Sequence, residues 1–178
     1  WYTVGLLVVH ALDREYLEAL EQARQFAHNT PPLPDLATIV EAHMVAQRDL
    51  DVPEAPSLEE AARLIEEDIE ESPSNSGSRA SMARNLALRG EYDAAVREAR
   101  LAVDLAAKDA FSGPELLKDL AEVYMLAGRQ DEAIDLLDRL LNTVYEGSVT
   151  REWLRLDPNW DPLRENPRFQ ALLSSGDS

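Results

Sequence analysis

The sequence predicts an all-α fold, and three observations carry that reading. Leu and Ala are the commonest residues, 27 and 24 of 178, against 7 Gly and few aromatics. Both rank among the best helix formers. Apolar residues recur at intervals of three and four, the period of a helix with one buried face. Amphipathic stretches are also joined by short turns, among them Leu88-Arg89-Gly90-Glu91-Tyr92 and Leu126-Ala127-Gly128-Arg129-Gln130. Hydrophobic residues make up 45% and charged residues 29%, a balance that folds and does not stay disordered. The length allows one large domain or one repeat array with its own core.

Taken in order, three stretches share a pattern. They are Ala11-Leu12-Asp13-Arg14-Glu15-Tyr16-Leu17-Glu18-Ala19, Leu88-Arg89-Gly90-Glu91-Tyr92-Asp93-Ala94-Ala95 and Leu126-Ala127-Gly128-Arg129-Gln130-Asp131-Glu132-Ala133. In the last two, Gly supplies a tight bend and acidic residues open the next helix, where they suit its dipole. Five residues after each Gly stands an Ala, small enough for two helices to approach closely. The pattern resembles the tetratricopeptide repeat, a helix–turn–helix unit of about 34 residues.

That resemblance implies a right-handed superhelix of about four helix–turn–helix units over residues 1–142, namely about 1–31, 33–74, 76–109 and 114–142. The fullest match is Pro114–Asn142, where Leu117, Leu120, Ala121, Tyr124, Gly128, Ala133, Leu137 and Leu140 stand at the family's packing positions. The preceding unit offers Met82, Ala83, Leu86, Gly90, Tyr92, Ala95, Ala99 and Ala102, with Arg79 where a bulky apolar residue is usual. The first unit has Thr3, Leu6, Leu7 and His10, then Ala19, Ala23, Phe26 and Pro31, and Arg14 replaces its turn Gly. The second fits most loosely. Its first helix is expected at about Asp35 to Arg48 and its second at about Leu58 to Glu71, where Ala61, Ala62, Ile65 and Ile69 form an apolar stripe. A long inserted turn, 49–57, separates them.

Residues 143–178 form a C-terminal cap and tail. Asp161-Pro162 and Asn166-Pro167 each read as an N-cap followed by Pro at the first helical position. Two short helical turns and a last helix at Arg168–Leu173 are expected. A stack of repeats leaves an apolar end that must be covered, and Trp153, Leu156, Trp160, Leu163, Phe169 and Leu172 suit that task. The segment also looks like the tail of a group of bacterial tetratricopeptide proteins. In that group the repeats follow a cyclase, a kinase or a winged-helix DNA-binding domain.

The net charge of −17 argues against a nucleic-acid or anionic-membrane binder, which needs a basic face. No Cys is present, so disulfides, thiolate metal sites and Cys nucleophiles are excluded. The longest apolar run, Leu6 to Val9, is too short to span a bilayer. The chain opens on Trp1 and reads as a fragment or a processed product, which leaves an upstream signal or anchor open. The cytoplasm is the expected compartment, with the periplasm as the alternative if such a signal precedes Trp1.

No catalytic constellation stands out. His10, His28 and His43 lack paired metal-ligand spacing, and His10 and His43 occupy a repeat-packing position. Residues 51–72 hold nine acidic side chains against Arg63 alone. Glu59, Glu66, Glu67 and Glu70 read as a solvated helix face or, more sharply, as a docking surface for a basic partner. No Gly-rich phosphate loop and no nucleophile elbow occur. The chain is therefore expected not to be an enzyme and to take no cofactor or metal.

In the family's geometry first helices line a concave groove. The resemblance places Glu41, Met44, Arg84, Leu88, Lys118, Glu122 and Met125 on that face. The groove would be small, mostly apolar and adaptable through its Met side chains. It would suit an extended peptide or an amphipathic helix of a protein partner, basic or amphipathic in character. The function expected is a protein-binding scaffold, the C-terminal part of a larger bacterial signalling or regulatory protein. The alternative is a structural or oligomerisation segment that positions an upstream catalytic or DNA-binding domain. The sequence leaves the oligomeric state open.

Overall fold

The computed structural model describes residues 16–18, 21, 52, 55–107, 112–143 and 149–175. It is all-α: the described residues are mostly helical and contain no strand. The chain divides into two compact units between Pro73 and Ser74. All of the first unit of the sequence pattern but residues 16–18 and 21, together with the helix expected at 35–48, Glu41, Met44 and all three His residues, lies outside the described residues.

In the unit before Ser74, Tyr16–Glu18 and Glu21 are helical, and helix α1 spans Leu58–Glu71. Ser57 caps α1, its Oγ accepting from the Glu60 N–H at 3.1 Å, and Glu59 and Glu60 place negative charge in the first turn. Ala61, Ala62 and Ile65 are buried, whereas Glu59, Glu66, Glu67 and Glu70 are exposed. The apolar stripe and the acidic face are thus separate, as the helical spacing requires.

The unit from Ser74 onward contains α2 (Ser76–Leu88), α3 (Tyr92–Leu105), α4 (Ser112–Leu126), α5 (Gln130–Leu141), α6 (Arg151–Leu156), a 3-10 helix at Pro158–Leu163 and α7 (Pro167–Ser174). Two helical hairpins, α2–α3 and α4–α5, form its body, and α4 packs on both helices of the first hairpin. Asn75 starts α2, its Oδ1 accepting from the Gly77 and Ser78 N–H groups. Pro114 sits in the first turn of α4, where a missing N–H costs nothing because that donor has no helical acceptor.

Both hairpins reverse by the same bonds. Gly90 has φ +81° and Gly128 φ +72°, left-handed values that Gly adopts without steric cost. The Gly90 N–H donates to the Ala87 carbonyl and the Glu91 N–H to the Leu86 carbonyl. In the second turn Gly128 donates to Met125 and Arg129 to Tyr124. This is the Schellman arrangement, which satisfies two otherwise orphaned carbonyls at a helix end. Glu91 and Arg129 then start α3 and α5 without a side-chain cap, their carbonyls accepting from Ala95 and Ala133.

The two hairpins repeat at a spacing of 38 positions, the separation of Gly90 and Gly128. Buried pairs recur at that spacing: Ala83 and Ala121, Ala95 and Ala133, Val96 and Ile134, Ala99 and Leu137, Ala102 and Leu140. Ala95 and Ala133 are completely buried, at the positions where helices of a hairpin must come close. Arg79, the polar departure in α2, is accommodated by an ion pair with Glu98 of α3 at 3.1 Å.

The C-terminal segment shares the core of the hairpins. Val149, Leu154, Trp160, Leu163, Phe169 and Leu172 belong to one buried cluster with Ile134, Leu137 and Leu140. The described residues from Val149 onward thus have no buried cluster separate from that of the hairpins. Thr150 caps α6 and Asn166 caps α7, with Pro167 at the first helical position as the sequence implied. The other expected start is corrected. Asp157-Pro158, not Asp161-Pro162, opens the 3-10 helix, because the Asp157 Oδ1 accepts from the Asn159 N–H at 2.9 Å. Leu156 is also corrected: it is 61% exposed. Leu154 takes the inward position of the short α6, and two residues further on the helix has turned roughly 200° away.

Polar contacts fasten this segment at both ends. Arg151 Nε donates to the Leu172 carbonyl at 3.1 Å, and Arg155 donates to the Leu173 carbonyl at 2.6 Å. These carbonyls lie in the last turn of α7, where intrahelical partners run out. Asn166 Nδ2 donates to Gln130 Oε1, and Arg168 bridges Asp131 and Asp135 at 2.6 and 2.7 Å.

Candidate functional site

Five of the seven groove residues lie on α2 and α4. Arg84 and Glu122 occupy equivalent positions of the two hairpins, and their side chains form an ion pair across the α2–α4 contact. Glu122 is only 4% exposed and Met125 only 8%, so neither is open to a ligand. Arg84, Leu88 and Lys118 remain half-buried. Lys118 pairs with Glu115 one turn earlier at 3.3 Å, and its ammonium lies 5.6 Å from the centre of the Trp153 ring. Trp153 in turn meets Trp160 edge to face, with ring centres 6.5 Å apart. The cation–π contact and the T-shaped pair are both geometries that the aromatic quadrupole favours.

The structure thus brings Arg84 together with Glu122, and sets Lys118 against a tryptophan of the C-terminal segment. Leu88 stands at the C-terminal end of α2, on the rim. Asp119, adjacent to Lys118 on α4, has its carboxyl pushed above the usual range. Burial is the main cause, and neighbouring Glu115 adds to it, while Lys118 and Arg84 pull the other way. This face carries both signs of charge, and the cations on it are already matched by carboxylates.

Two contacts made to α4 were not legible from the repeat pattern. Trp153 reaches the face from outside the repeats, and only its place in an aromatic-rich tail hinted at packing. Arg100 of α3 donates from Nε and Nη2 to the Tyr124 hydroxyl of α4, at 3.0 and 2.9 Å, and lies 5.8 Å from that ring's centre. A long cation opposite a buried Tyr one unit later is a signal that a repeat alignment could have exposed.

Among the described residues no group of three or more His, Asp or Glu side chains is arranged to hold a metal ion. Among them, too, no helix is long and apolar enough to cross a membrane. What the face offers chemically is a rim of half-buried apolar and cationic side chains around a neutralised ion pair. Neither protein-family models nor curated proteins match this chain.

Proposed function

We propose that the chain is a helical-repeat module of the tetratricopeptide type that binds a protein partner along the α2–α4 face. The observation that carries this reading is the repetition of one hairpin at 38-residue spacing, with identical turn bonds and matched buried positions. A stack of such units presents a continuous side surface whose residues are free to vary, and repeat scaffolds use that surface for binding. The ligand would be an extended or helical peptide. Leu88 would contact its apolar side chains, and the rim of Arg84 and Lys118 would set its orientation. The net charge of −17 favours a basic or amphipathic partner, with binding that weakens as salt rises. The place of the module, in the C-terminal part of a larger bacterial regulatory protein, rests on the resemblance of its tail.

Panning a displayed peptide library against the full chain tests the proposal, followed by anisotropy titration of an enriched peptide. Leu88→Ala and Leu88→Lys should each weaken binding of the basic peptide by about tenfold or more, a loss of about 1.4 kcal/mol, with little change in melting temperature because Leu88 is only half-buried at the end of α2. Failure to enrich any peptide, or binding indifferent to both substitutions, would overturn it. That outcome would favour the second reading, a structural or oligomerisation segment that positions another domain. The burial of Glu122 and Met125 is the observation that favours this alternative.

A further inference from the structure

We draw no further inference here: the strongest candidate, the exposed apolar strip of Leu101 and Leu105 on the outer side of α3, carries nothing, because nothing in the structure shows what covers it and the flanking Arg97 and Asp104 are opposite in charge.

Discussion

At the scale of single residues, the charged layer between α2 and α4 decides more than the apolar contacts around it. Glu122 has lost its water, and the Arg84 guanidinium compensates for that loss. Arg84→Leu would leave a buried carboxylate without its cation, whereas Arg84→Leu with Glu122→Leu would remove both charges. The single variant should lose about 2–3 kcal/mol, below the full cost for a completely buried pair because Arg84 is partly exposed. The double variant should recover most of that loss in urea denaturation. A double variant no more stable than the single would show that the pair's charges are not what matters. Asp119 supplies a test with a definite sign in pH. Its carboxyl is raised above the ordinary 3.8, so the folded state holds this proton more tightly than the unfolded state. Its ionisation therefore lowers stability above the folded value. The penalty is relieved as pH falls through that value and is gone below about 3.8. Asp119→Asn should then be more stable than the parent at pH 7, and the difference should close on acidification. Thermal melts of both proteins across that range read it directly. A constant difference would remove the ionisation from the account.

At the scale of elements, the turns are where the sequence was most explicit. Leu-x-Gly-x followed by Ala five residues after the Gly encodes the left-handed residue, the bend and the close contact, and all three are present at Gly90 and Gly128. Beyond the glycine itself and its two chain neighbours, no atom lies within 4 Å of where a Cβ would stand on either Gly. The cost of Gly90→Ala or Gly128→Ala is therefore conformational alone, about 1–2 kcal/mol each. The two losses should add, since the turns belong to separate hairpins, and Asn should cost less than Ala at either position. Chemical denaturation of the single and double variants checks this. A neutral Ala variant would mean that the turn relaxes out of the left-handed region. The bounds of α1 were legible from its apolar stripe, Ala61, Ala62, Ile65 and Ile69 at helical spacing. The start of the 3-10 helix was not, because Asp157-Pro158 and Asp161-Pro162 present the same local chemistry. Only the packing of Trp160 and Leu163 distinguishes them.

At the scale of the whole molecule, what the sequence hid is what depends on contacts between distant segments. A repeat pattern reports the face that each helix turns to its neighbour. It is silent on which groove residues later segments reach, so Lys118 was legible as a surface cation and not as the partner of Trp153. It is also silent on the pairing of Arg84 with Glu122, since charges at equivalent positions 38 residues apart look independent in the sequence. The C-terminal segment is the clearest case. Its aromatic content announced burial, and the structure puts Trp160, Leu163 and Phe169 in the same core as Leu137 and Leu140. Each such side chain favours folding by about 1.5–3 kcal/mol when removed from water. Truncation after Thr150 would take away Leu154, Trp160, Leu163, Phe169 and Leu172 together, along with the Arg168 and Asn166 contacts to α5. It would leave the apolar side of α5 facing solvent. The truncated protein should melt well below the parent and self-associate, despite the electrostatic repulsion of an acidic surface. Calorimetry and light scattering at matched concentration measure both effects. Trp160→Ala in the full chain gives the same test without a deletion, with an expected loss of about 3–5 kcal/mol. A truncated protein that stays monomeric with unchanged melting would mean that α2–α5 close their own core. The buried tryptophan would then stabilise only the tail that carries it.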